Sequence, residues 1–174
     1  MSKTKRLSTD FFIREVTVVA PDLLGKTLVR CFDDGTKQRF IITETEAYRG
    51  QDDKACHANK GKTARTEVMF RKGGLVYVYL IYGMYWLLNF VTGPENESSA
   101  VLIRGIEGIS GPGRVGKALK LDKSFYGENL ATSPKIWLED TGLKLNYTTL
   151  PRVGINYAGE PWISKPWRFV ADPL

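Results

Sequence analysis

Two acids one residue apart, Glu44 and Glu46, lie in the run IITETEAY at residues 41–48. Alternate residues of a strand share a face, so Glu44, Glu46 and Tyr48 point one way while Thr43, Thr45 and Ala47 point the other. An acid pair beside an aromatic, where a strand enters a long polar loop, is a place for a general base. A solvated strand face fits the same pattern, since acidic side chains are mostly exposed. His57, the single histidine, follows in QDDKACHANKG. It reads either as a structural or exposed residue or as a catalytic one, and no Ser/His/Asp arrangement accompanies it. Tyr79 shares a strand face with Tyr77 and Ile81, and with Tyr48 it could sandwich a flat ligand. An ordinary core tyrosine with a wetted hydroxyl fits equally. Asn89 interrupts the apolar run WLLNFV, where a buried amide must bond either local backbone or a ligand edge. Arg104 ends an apolar strand. If buried it needs an anion, a carboxylate such as Glu46 or a phosphate; the plainer alternative is an exposed arginine at a strand end.

The stretch that must position several of these side chains is Leu75–Val91, LVYVYLIYGMYWLLNFV. Its Val, Ile, Tyr and Trp residues suit a pleated, half-buried surface. Gly83 supplies the positive φ that a tight reversal requires. The stretch predicts a β-hairpin with a tip of Tyr82, Gly83, Met84 and Tyr85. Water does not favour such a tip, and stacked bases would suit it as a partner. Elsewhere, 26–32 and 39–48 read as strands joined at Asp33-Asp34-Gly35, and 17–24 as a short helix closing at Gly25. Residues 100–104, 135–139 and 167–170 read as further strands. Residues 49–73 form a long connection of the kind that tends to carry function. SGPGR at 110–114 reads either as a plain turn and helix cap or as a phosphate-binding helix entry.

The chain has 174 residues, 43% of them hydrophobic, enough for one domain with a sizeable core. Residues 1–7 read as a basic flexible tail and 8–174 as the domain, without internal repeats. No apolar run argues a membrane span and the N-terminus lacks a signal-peptide core, so a cytoplasmic location is expected. Two cysteines and one histidine make neither a disulfide framework nor a convincing zinc site. A net charge of +6, with basic clusters at 60–72 and 114–123, favours a polyanionic partner.

The run ETEAYRGQDDKACHANKGKTARTEVMFRKGGLVYVYLIYGMYWLLNFV, then AVLIRGIE, GPGRVGKAL and RVGINYAGE, resembles the alkyladenine (3-methyladenine, methylpurine) DNA glycosylases. The resemblance runs from about residue 10 to 169, and its several motifs occur in order. It departs at Thr63-Ala64-Arg65-Thr66, where the family has a TPRN-like run. It departs also at Cys56, where bacterial relatives often have serine, and at Pro161 before Trp162.

The resemblance implies a mixed α+β fold: one domain with a curved antiparallel β-sheet, flanking helices and a protruding β-hairpin. It implies an enzyme that flips a damaged purine out of double-stranded DNA and hydrolyses its N-glycosidic bond. Glu46 falls on the family's general base. Arg104 and the main-chain carbonyl of Val153 fall on groups that hold the attacking water. Tyr48, His57 and Tyr79 fall on residues that stack on or hydrogen-bond the flipped base, and Asn89 on the pocket-floor asparagine. Tyr82 falls on the side chain that enters the minor groove; Met84, Tyr85 and Arg65 match DNA contacts. Arg104 is expected to favour the ionised form of Glu46. A monofunctional enzyme is expected, with no metal, no cofactor and no obligate protein partner. It would act as a monomer in the bacterial nucleoid, or in the nucleus of a eukaryote. The competing reading is a non-catalytic nucleic-acid-binding module, which would keep Tyr82 and the lysines but have no use for Glu46.

Overall fold

The apolar stretches of this chain are rich in β-branched and aromatic residues, and strands form from them. The computed structural model describes residues 3–174. Its strands are β1 (Lys5–Arg6), β2 (Thr27–Cys31), β3 (Lys37–Tyr48), β4 (Val76–Ile81), β5 (Tyr85–Thr92), β6 (Ser99–Ile106), β7 (Ile109–Ser110), β8 (Ile136–Asp140), β9 (Tyr147–Leu150) and β10 (Arg168–Ala171). They build one curved antiparallel sheet in the order β1-β8-β2-β3-β6-β5-β4, with β10 between β3 and β9, and β7 against β6. Short helices α1 (Thr9–Phe12), α2 (Val16–Asp22) and α3 (Pro112–Ala118) flank it. Among the described residues no helix is long and apolar enough to cross a membrane.

β3 is the spine. Its first half pairs with β2, from Cys31↔Lys37 to Thr27↔Ile41, and its second half with β10, from Val170↔Glu44 to Arg168↔Glu46. Its other edge pairs with β6 from Ile42 to Tyr48, and that register shifts between Ile42 and Thr45. The shift inverts the facing of the strand. Ile42 belongs to the main core, and so does Ala47, five residues on and of opposite parity. Thr45 is also fully buried and its hydroxyl donates to the Ala20 carbonyl on α2. Glu44, Glu46 and Tyr48 are thereby turned away from the main core.

The main core is built by Leu28, Ile42, Phe90, Ile103 and Leu138 from the sheet against Phe12, Val19 and Leu119 from the helical side. The long connection 49–73 is ordered by two 3-10 turns, His57–Lys60 and Glu67–Phe70. Its Cys56, Ala58, Val68, Met69 and Phe70 form a second cluster on Tyr77, Val91 and Ala100. The site side of the sheet therefore has its own small core.

Two expectations are corrected. Segment 1–7 is not a free tail at its C-terminal end. Lys5 and Arg6 pair with Asp140 and Glu139, and the Arg6 guanidinium donates to the carbonyls of Leu130 and Ser133 at 2.7–3.1 Å. Residues 1 and 2 lie outside the described residues. The hairpin tip is also one residue shorter than expected. Tyr85 is the first residue of β5, paired with Ile81, and its ring packs over Gly113 of α3.

The second and third glycines of GPGRVGK are explained by that packing. Gly113 and Gly116 lie three residues apart on one face of α3. A Cβ at Gly116 would sit 1.8 Å from the Trp86 carbonyl oxygen. The Gly116→Ala variant is therefore expected to lose about 1–3 kcal/mol or more of stability, the cost of overpacking. An unchanged midpoint in urea would show that α3 can back away from β5. The turn at Ile81–Met84 carries the opposite sign. Both central residues, Tyr82 and Gly83, have positive φ (50° and 65°), the pattern for which Asn-Gly is preferred. Tyr82 is 86% exposed, so its ring returns little to the fold. Tyr82→Asn is expected to raise stability by up to about 1 kcal/mol through relief of the left-handed backbone penalty. A lowered unfolding midpoint would mean that the ring supports the hairpin.

Candidate active site

Glu46 is fully buried, and three groups converge on its carboxylate. The Tyr48 hydroxyl donates to Oε2 (2.7 Å), the Val153 N–H donates to Oε1 (2.8 Å), and Arg104 Nε stands 3.5 Å from Oε1. The Tyr48 contact follows directly from strand alternation, two residues on the same face. The Val153 contact is long-range and comes from the segment between β9 and the 3-10 turn Asn156–Ala158. The resemblance pointed to the Val153 carbonyl; the bond present is made by its N–H.

Arg104 lies nearer to Glu44, at 3.2 Å, and Arg168 Nη1 reaches the same Glu44 Oε1 at 3.2 Å. Glu44 thus anchors two guanidinium groups, whereas Glu46 has only the longer contact with one of them. Burial pushes the Glu46 pKa above the ordinary 4.5; Arg104, the Tyr48 hydroxyl and the Val153 N–H pull it back without cancelling the rise. Arg104 favours the ionised form, as expected, with Arg152 adding to it, but removal from water outweighs both. Burial also holds the Tyr48 hydroxyl well above its usual range, with the adjacent Glu46 adding to it, so Tyr48 remains a donor.

A cavity of about 320 Å³ opens over this arrangement, within the range of about 300–1,000 Å³ usual for small-molecule sites. It brings together Tyr48, His57, Arg65, Tyr79, Tyr82, Asn89, Arg104 and Val153. Glu46 lies behind the wall that Tyr48, Val153 and Arg104 form. The His57 ring meets the Tyr79 ring edge-on, with centroids 4.5 Å apart and an interplanar angle of 68°. Its Nδ1 is 2.9 Å from the Tyr77 hydroxyl. Burial first, then the charges of Arg65 and Lys60, lower the His57 pKa to about 4, so the ring is neutral at neutral pH. The buried amide of Asn89 donates to the Tyr77 carbonyl at 3.2 Å, which settles its local bonding, and it still lines the cavity. Met84 and Tyr85 are not brought in. They border a separate depression with Trp86 and Lys117, on the α3 side of the hairpin.

Four participants carry no assignment from the sequence. Tyr77 was placed on the strand face of Tyr79 but given no role, although that alternation alone carries it into the cavity. Asp53 and Arg152 form a fully buried bidentate pair, at 2.5 and 3.0 Å. Arg152 also donates to the Ala47 carbonyl and lies 4.8 Å from the centroid of the Tyr48 ring. Two residues separated by 99 positions carry no mutual signal in one sequence. Tyr157, 71% exposed, donates to the Ala55 carbonyl and completes the rim.

Comparison with known proteins places the whole chain in one family. The methylpurine-DNA glycosylase family matches residues 10–173. A protein of Rickettsia felis, provisionally named 3-methyladenine DNA glycosylase, is 44% identical over 181 residues, 100% of this chain and 97% of its own. Proteins with the same provisional name from Methanocella arvoryzae (43% over 183 residues; 94% and 90%) and Psychrobacter cryohalolentis (40% over 186; 90% and 86%) are also similar. An aromatic cavity backed by one sequestered carboxylate thus sits in a chain that belongs to the methylpurine-DNA glycosylase family, enzymes of base-excision DNA repair.

Proposed function

We propose that the chain excises alkylated and deaminated purines from duplex DNA with a water activated by Glu46. The substrates are of the 3-methyladenine, 7-methylguanine, hypoxanthine and ethenoadenine class, and the product is an abasic site in an intact strand. The observation that carries this reading is the position of Glu46. A carboxylate with no exposed surface is costly to desolvate. A module that only binds nucleic acid gains nothing from it, whereas a hydrolase needs an anion where sugar charge develops.

The base must first leave the stack, at a cost of roughly a few kcal/mol. Tyr82, exposed at the tip and bordering the cavity, fills the vacancy as an aromatic wedge. Tyr48, Tyr79 and the neutral His57 ring receive the purine, and stacking of this kind contributes about 1–3 kcal/mol per base. The C1′–N bond then breaks with its electron pair passing to the base. The water adds to the anomeric carbon and its proton passes to Glu46, while Arg104 and the Val153 backbone hold the carboxylate in place. Among the described residues that line the cavity none is a lysine, which supports simple hydrolysis over a Schiff-base route that would also cut the strand. The enzyme acts as a monomer on one lesion at a time.

Glu46→Gln is expected to lower release of 7-methylguanine by at least about 10²–10⁴-fold, the usual contribution of a general base, while affinity for the lesion duplex persists. Release at the wild-type rate would remove Glu46 from the mechanism. The second test is the pH profile of kcat/KM on the same methylated purine, which leaves without protonation. Activity requires ionised Glu46, whose pKa is raised, so the acid limb lies above the ordinary glutamate value of 4.5. Tyr48→Phe deletes a hydrogen bond to the ionised form and is expected to move that limb to still higher pH. A limb that stays put would show that another group titrates.

A further inference from the structure

Arg65 stands at the cavity mouth. Its Nη2 is 3.4 and 3.5 Å from the two ring nitrogens of His57, and its guanidinium carbon is 5.1 Å from the centroid of the Tyr79 ring. Among the described residues no carboxylate lies within ion-pair distance of it. The full positive charge is therefore presented to the cavity and to solvent. Of the groups around it, Tyr77, Tyr79 and His57 are neutral at neutral pH and Lys60 is a second cation; Glu46 is fully buried and does not line the cavity. His57 registers the resulting field, since Arg65 is the largest charge acting against its protonation. Tyr79 offers one aromatic face to cations, and Arg65 already stands over a tyrosine ring at cation–π distance.

We propose that Arg65 is a specificity-determining residue that favours neutral damaged purines over cationic ones. The inference rests on the glycosylase reading and deepens it. A purine methylated at N3 or N7 enters the cavity with a positive charge, which meets a guanidinium at the mouth and competes with it for the Tyr79 face. Hypoxanthine or ethenoadenine enters neutral and meets no such opposition. Bond breaking changes the base by the same amount in both cases. The electron pair of the C1′–N bond passes to the base, the sugar takes the positive charge, and water supplies the new C–O bond. The base therefore becomes one unit more negative near Arg65 whether it began neutral or cationic. Arg65 thus speeds the chemical step for both classes, but it opposes capture of the cationic class alone. This division separates it from an arginine that only holds a DNA phosphate, which would change capture of every lesion equally and leave the chemical step alone.

The experiment is single-turnover excision from two duplexes of identical sequence, one with a single 7-methylguanine and one with a single hypoxanthine. It uses the wild type, Arg65→Gln and Arg65→Lys, with folding confirmed by circular dichroism. In Arg65→Gln the rate at saturating enzyme is expected to fall for both bases. The ratio of kmax/K1/2 for 7-methylguanine over hypoxanthine is expected to rise about tenfold, the size of effect a partly screened like charge exerts at this range. Arg65→Lys, which keeps the charge, is expected to retain most of the wild-type ratio. An unmoved ratio, or a rise in K1/2 shared by both lesions with kmax intact, would overturn the inference and leave the glycosylase reading standing. Failure of the wild type to release either base would overturn that reading and this inference with it.

Discussion

Withdrawal of the Glu46 carboxylate from water is the constraint on which the site is built. A buried anion is tolerated only when donors and cations offset the lost hydration. Here the offsets are a phenol hydroxyl from the same strand, a backbone N–H from a segment more than a hundred residues away, and a guanidinium from the neighbouring strand. They offset it incompletely, which leaves the carboxylate more basic than an ordinary glutamate. Incomplete compensation is useful to a general base. A fully satisfied carboxylate would have no reason to take a proton from water, and a fully exposed one would be too weak a base to do so at neutral pH.

Much of the remaining architecture serves that residue. Glu44 binds both Arg104 and Arg168, which keeps Arg104 beside Glu46 without a short, neutralising contact. The Asp53–Arg152 pair reaches the Ala47 carbonyl and the underside of Tyr48. It thereby fixes the segment that carries Val153 against β3. Breaking a buried pair of this kind costs more than the pair contributes, because one charge is stranded. The rigidity of the carboxylate's surroundings is thus secured by a pair that lies behind the Tyr48 ring and does not line the cavity.

The sequence made some of this legible and hid the rest for physical reasons. Strand periodicity placed Glu44, Glu46 and Tyr48 on one face, and the aromatic run with a central glycine announced the β4–β5 hairpin. Both signals are local, and both hold in the structure. The register shift within β3 is not visible in the letters of the strand, because it depends on where β6 pairs. Nor is the Asp53–Arg152 pair. The basic start of the chain read as a tail because charge is the only local signal there; its order comes from carbonyls of the segment before β8. The net direction of the Glu46 shift is hidden for a related reason. A sequence shows that an arginine is present, but not how much water has been removed around the acid.

Local rules are broken where function would be expected to break them. Tyr82 occupies a left-handed position that asparagine or glycine would fill without strain, and it projects a large apolar ring into solvent. Neither property helps the isolated protein to fold, and both suit a side chain whose partner arrives later. The charges of the cavity are graded in the same sense: a sequestered anion on one side, an unpaired guanidinium at the mouth, and neutral aromatic rings between them. Cleavage of a glycosidic bond moves electrons from sugar to base. In the proposed reaction, an anion by the sugar and a cation by the base would lower the energy of that displacement before any proton has moved. The polarity of the site, with the buried Glu46 at its anionic end, thus suits the proposed heterolysis at a nucleoside.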